Sequence, residues 1–209
     1  MGEYLPQLLL AWSIQWAGIM SPGPGVMLIL SVATTGGRGA ALLTALGIGL
    51  AAILLALATV LGLAALLAKT AILMTAVKFI GAGYLLWMAY SAFRKAANPP
   101  QMVTASQIPA PSRARLLLAG FTMQISNPKA ILFWVAIAAV GGIAGAPLPI
   151  MALFIAGAFV NSLLGHVIWA VLLSSSPIRA GYARARRPIE AALGIFFLGF
   201  AAKLATTKV

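Results

Sequence analysis

Apolar residues run along this chain in six blocks, at residues 5–34, 40–68, 72–93, 116–140, 148–174 and 189–205. A helix needs about 20 predominantly apolar residues to cross the hydrocarbon of a bilayer, and the blocks are of that order. The first is too long for one straight span, and "SPGPGV" interrupts it at Ser21 to Val26. The separators carry turn chemistry: "TTGGRG" at 34–39, "GGIAGAPLP" at 141–149 and "SSSPIRAGYARARRP" at 174–188. Residues 94–115, "RKAANPPQMVTASQIPAPSRAR", form the one long polar stretch and read as a linker. The pattern predicts an all-α membrane protein with six transmembrane helices. Residues 1–93 make a first three-helix repeat, 94–115 a cytoplasmic linker and 116–209 a second three-helix repeat. Helices 1 and 4 are broken by proline and glycine.

Composition agrees. Of 209 residues 62% are hydrophobic and 8% charged, with a mean hydropathy of +1.04. A soluble domain carries about a quarter of its residues charged, so this chain could not cover a surface in water. The formal charge is +12, from 14 Lys and Arg against 2 acids. A basic stripe on one face would suggest nucleic acid. Here the bases fall between apolar blocks, as orientation signals do, and nucleic-acid binding is set aside. There is no Cys, hence no disulfide or thiolate–metal chemistry. The residues before Leu8 include Glu3 and no Lys or Arg, so the first block does not read as a cleavable signal. One side of the membrane collects Arg38, Arg94, Lys95, Arg113, Arg115, Arg179, Arg184, Arg186 and Arg187; the other has Lys69, Lys203 and Lys208. The positive-inside rule puts the first group in the cytoplasm and both termini outside.

The two halves repeat in order. "SPGP" at 21–24, "GG" at 36–37, "GIG" at 47–49 and "KFIGAGYLL" at 78–86 are followed by "SNPK" at 126–129, "GG" at 141–142, "IAGA" at 155–158 and "ALGIFFLG" at 192–199. Three helices is an odd number, so the halves insert with opposite topology, the layout of an inverted-repeat transporter. In such carriers, broken helices at corresponding positions mark the substrate site. Proline removes an N–H and glycine permits close backbone approach. A broken helix survives in lipid only where protein or a wet cavity satisfies its freed groups. The half-helix starting beyond Pro24 offers unpaired amides and partial positive charge, which suit a carboxylate. A plain packing kink is the competing reading.

The second break adds side chains: Gln124, Asn127 and Lys129 around Pro128. A charge in the hydrocarbon is costly, so Lys129 either snorkels or faces a polar interior, where it pairs with a substrate carboxylate or with freed carbonyls. Glu190, two residues after Pro188, reads most simply as a helix-dipole partner in the first turn of helix six. In "FVNSLLGHVIW", Ser162 and His166 are one turn apart, but no third orienting acid accompanies them as hydrolysis would require. His166 and Glu190 are the candidates for relaying protons. The five Trp read as interface anchors or packing between helices. Gly141 and Gly145 form GxxxG in a loop-like stretch and give no dimer motif. No cofactor or metal is implied.

"SPGPG", "TTGGRGAALLTALGIGLA", "VKFIGAGYLLWMAYSAFR" and "FTMQISNPKAILFW" follow the order of the LysE/RhtB family of bacterial amino-acid exporters, which the chain resembles over nearly its whole length. The resemblance implies a carrier in the bacterial inner membrane that exports amino acids or related small metabolites, driven by the proton gradient. Pro22, Gly23 and Pro24 match its first motif, Asn127, Pro128 and Lys129 its second, and Gly81, Gly83 and Tyr84 its third helix. The family often has an acid in the fifth segment, where this sequence has Asn161; that weakens proton coupling there and argues against a cationic substrate. The expected translocation site is therefore Ser21, Pro22, Gly23, Pro24, Gly25, Gln124, Asn127, Pro128, Lys129 and Asn161, taking a neutral or hydrophobic amino acid. The expected partners are that small molecule, membrane lipid and, left open, a second copy of the chain. The alternatives are export of another solute or a metal ion within the same superfamily, which the scarcity of Cys, His and acids disfavours, and a non-transporting membrane scaffold.

Overall fold

The computed structural model describes residues 2–67, 71–98, 112–141, 143 and 146–206. Among these the regular structure is helical throughout. The helices are α1 (Leu5–Met20), α2 (Pro24–Leu67), α3 (Ala71–Ala97), α4 (Arg113–Ser126), α5 (Pro128–Gly141), α6 (Leu148–Leu173) and α7 (Ser176–Thr206). Lys69, Lys208, most of the linker, and all of the GxxxG stretch but Gly141 and Ile143 lie outside the described residues.

Both expected breaks are present. α1 stops at Ser21 and α4 at Asn127, and these two residues share one extended conformation (φ −76°, ψ 111° and φ −78°, ψ 111°). The "TTGGRG" separator acts at a single residue. Gly37 (φ 76°, ψ −177°) bends α2 in a conformation that favours glycine. A Cβ there would touch nothing within 4 Å, so the backbone rather than crowding calls for glycine.

Three stretches are long and apolar enough to cross a membrane among the described residues: Pro24–Gly62, Leu148–Leu173 and Arg184–Thr206. α1, α4 and α5, of 16, 14 and 14 residues, are shorter than a crossing needs. Two boundaries differ from the sequence reading. α3 runs on through Arg94 and Lys95, whose charges favour a helix C-terminus. α7 starts at Ser176, inside the expected turn, and carries Pro188 in its interior. Ala- and Arg-rich sequence is strongly helix-forming, and the helix continues past the single hydrogen bond that Pro188 forgoes. Glu190 is thus mid-helix, and its expected place in a first turn is corrected.

Large apolar side chains cover the outside, and several polar ones are buried beside apolar cores. Large apolar side chains such as Leu61, Leu148 and Ile195 are exposed, while Gln15, Thr44, Asn127, Ser162, His166, Arg186 and Glu190 are buried. One core cluster gathers Leu8 and Ile14 of α1, Leu85 of α3, Phe133 and Ile137 of α5, Phe154 of α6 and Phe197 of α7. A second joins Ile29 and Ile48 of α2 to Trp169 and Leu173 of α6. α2 and α4 cross backbone to backbone: a Cβ at Gly47 would meet the carbonyl of Leu117, and one at Gly120 the carbonyl of Thr44. The bend at Gly37, the Gly47–Gly120 crossing and the two breaks bring the broken ends of α1 and α5 into the protein interior.

Candidate functional site

A helix leaves its last four carbonyls without intrahelical partners. At the end of α1 and through the break that follows, side chains from three other helices take carbonyls freed in this way. Lys129 Nζ of α5 donates to Ser21 O at 2.6 Å and to Gly18 O at 3.2 Å. Trp169 Nε1 of α6 donates to Ile19 O at 3.0 Å. Lys95 Nζ of α3 donates to Pro22 O at 3.0 Å. The negative end of the α1 dipole suits the two ammonium groups. Gly23 leaves room for the same contact: a Cβ there would lie 3.0 Å from both Cδ and Nζ of Lys129 and would press on its side chain. The two breaks therefore meet, and Lys129 is the link.

Lys129 is set in place by its own break. Asn127 Oδ1 accepts from the Lys129 backbone N–H at 3.0 Å, capping α5, and Pro128 takes the first helical position, where its missing N–H costs nothing. Tyr84 OH of α3 donates to Lys129 O at 2.7 Å. Of the two partners expected for Lys129, the structure places its ammonium on freed carbonyls.

Beyond the first break, Pro24 begins α2. Its carbonyl ladder is first closed by Met27 N–H on Gly23 O at 3.0 Å. Among the described residues no side chain caps the N–H groups of Gly25 or Val26. The ring of His166 is buried, and its Nδ1 donates to Ser162 O at 2.8 Å, since a carbonyl only accepts. That leaves Nε2 facing Gly25, 3.6 Å from where a Cβ would stand. Ser162 Oγ is buried with no hydrogen bond among the described residues. Ser162 and His166 do touch, but through the serine carbonyl, so no nucleophile–base pair forms.

Gly25, Val26, Ser162 and His166, together with Gln15, Gly18, Gln124 and Phe133, line a partly open cavity of about 60 Å³, room for a few water molecules. The cavity collects Ser21, Gly23, Gly25, Gln124, Asn127, Lys129 and His166 from the sequence-predicted set. Five candidates fall outside its lining: Pro22, Pro24 and Pro128, which shape the two breaks, and Asn161 and Glu190. Asn161 turns to α1, donating through Nδ2 to Trp12 O at 2.9 Å and to Gln15 Oε1 at 3.2 Å. It lines instead an open apolar cavity of about 650 Å³ between α1, α6 and α7. Gln15 in turn donates to Ala158 O at 2.9 Å, so the pair seals α1 against α6 between the two cavities. Glu190 is fully buried on α7, with Arg186 Nε 4.0 Å from its carboxylate and no hydrogen bond to either oxygen among the described residues.

Sequence reasoning missed Gln15 and Lys95. Gln15 is the one amide in "AWSIQWAG", and that signal was available. Lys95 reads as a topology charge and nothing in the sequence separates that role from this one.

Residues 16–208 match the family model described as LysE type translocator. A threonine efflux protein of Escherichia coli (strain K12) is 30% identical over 195 residues, covering 91% of this chain and 93% of the relative. A leucine efflux protein of Klebsiella pneumoniae subsp. pneumoniae is 28% identical over 194 residues, covering 91% and 90%. An uncharacterised membrane protein of E. coli K12 is 29% identical over 186 residues, covering 85% and 81%. No solved structure gives a significant match.

Proposed function

The chain belongs to the LysE type translocator family, and from that premise we propose that it is a secondary carrier of the bacterial inner membrane that exports amino acids. It is a transmembrane protein, and its similar proteins are named for the efflux of leucine and of threonine. A neutral or hydrophobic amino acid is the favoured substrate, and the proton gradient the driving force. The six spans form two inverted three-helix repeats with both termini outside, and one repeat rocks against the other to alternate access.

One observation carries this reading: the half-helix ends at Ser21–Gly23 and Asn127 share one cavity, joined by Lys129. Half-helix ends aimed at a cavity near the repeat interface are how such carriers bind anionic and cationic groups without free charges in lipid. The substrate carboxylate rests on the amides of Gly25 and Val26, with His166 beside it. Gln124 and Asn127 supply neutral hydrogen bonds. His166 and Glu190 are the groups available to relay protons. At about 60 Å³ the partly open cavity must widen before an amino acid enters.

The test is counterflow in proteoliposomes. Vesicles preloaded with unlabelled L-leucine or L-threonine should accumulate the labelled amino acid from outside. Liposomes with protein that show no accumulation above protein-free controls, for either of these or a wider panel of neutral amino acids, would refute amino-acid transport.

A further inference from the structure

The first break presents two opposite half-helix ends side by side. The end of α1 is negative and consists of carbonyls, among them Gly18 O and Ser21 O. The start of α2 is positive and consists of the amides of Gly25 and Val26, with His166 Nε2 close to Gly25. An α-amino acid at neutral pH carries an ammonium and a carboxylate on one carbon. The break is its dipolar complement. The ammonium half of that complement is already filled, by the chain's own Lys129. With the lysine in place its ammonium holds the Gly18 and Ser21 carbonyls, so a substrate ammonium takes them only by displacing it.

We propose that Lys129 is a tethered stand-in for the substrate ammonium, and that the two exchange on the Gly18 and Ser21 carbonyls, which ties one proton to each amino acid exported. This rests on the site reading above. Open to the cytoplasm, the Lys129 ammonium gives one proton to water. The neutral amine leaves the carbonyls, the zwitterion's ammonium replaces it, and its carboxylate takes the amides of Gly25 and Val26. Open to the outside, one proton from water restores the ammonium, which returns to the carbonyls and expels the substrate. One proton enters for each zwitterion that leaves, and one positive charge moves inward. Substrate and proton are mutually exclusive, which is the condition for exchange in opposite directions. The groups that face Lys129 are Lys95 and Tyr84 from α3, His166 from α6 and Glu190 from α7, with Arg186 beside Glu190.

The proton count tests it on the unaltered protein. L-Leucine and L-threonine are titrated into the detergent-solubilised chain in buffers of differing ionisation enthalpy. Binding should release about one proton per amino acid. Lys129→Gln should bind with no release, exchange label across vesicles with no gradient, and lose gradient-driven efflux by about tenfold or more. Binding to the wild type without proton release overturns the proposal, as does driven efflux at the wild-type rate in Lys129→Gln. A wild type that neither binds nor moves any amino acid refutes the site reading itself.

Discussion

Among the described residues, the first break has carbonyls covered by side chains and its opening amides uncapped; the second has its first amide capped and its carbonyls without a side-chain donor from another helix. At Ser21–Gly23, donors from α3, α5 and α6 reach the carbonyls of residues 18, 19, 21 and 22, while Gly25 and Val26 have no side-chain cap among the described residues. At Asn127, the residue's own Oδ1 caps the following helix, and among the described residues no side chain of another helix donates to the last turn of α4. Ser21 and Asn127 have nearly the same backbone conformation, so the difference lies in side chains and not in the break itself. A repeated break thus yields a single polar site. On the proposed reading, one copy offers both helix ends to the amino acid, and the other supplies the lysine that occupies the first.

Changes at each break should separate these roles. Lys129→Gln removes the link and has the largest effect: the ammonium's hydrogen bonds are worth about 1.5–3 kcal/mol each, so gradient-driven efflux should fall at least tenfold with membrane levels unchanged. Wild-type efflux in that variant would end the distinction between the breaks. Gly120→Val acts beside the second break by pushing α4 off the Thr44 carbonyl. It should lower stability by about 1–3 kcal/mol in thermal unfolding while leaving the proton count per substrate intact. Asn127→Ala removes a cap and should cost about 1 kcal/mol by the same assay, with efflux weakened less than in Lys129→Gln. Lys95→Met takes away one donor at the first break and, because Lys95 is half-exposed and makes a single bond there, should cost no more than about 1 kcal/mol. A loss of efflux as large as that of Lys129→Gln would show instead that Lys95 shares the exchange.

Much of this was readable from the residues. The apolar blocks coincide with helices, "SPGPG" and "SNPK" are breaks, and the glycine pair at 36–37 is a bend. These features are local: proline and glycine act on the backbone where they stand. The partner of Lys129 was not readable, since a lysine near a break satisfies the same sequence rule whether it meets a ligand or a carbonyl. Asn161 was assigned to the cavity for its polarity, but α6 presents it to α1, a matter of helix rotation that an apolar segment with few polar markers leaves undetermined. Pro188 read as a boundary, yet the helix-forming residues before it carry α7 through, which moves Glu190 from a helix start to a buried interior position.

The most direct test of the central claim, that the amino acid sits on the opening turn of α2, uses the absence of native Cys. A Cβ at Gly25 would make only ordinary contacts, 3.6 Å from His166 Nε2 and 3.7 Å from Ile48 Cδ1, so Gly25→Cys should fold and report on the site. Its rate of modification by a small cationic thiol reagent is measured in inverted membrane vesicles with and without L-leucine or L-threonine. The account predicts that an amino acid shown to be transported slows labelling by about tenfold at saturation. Labelling at an unchanged rate in the presence of such a substrate would contradict it.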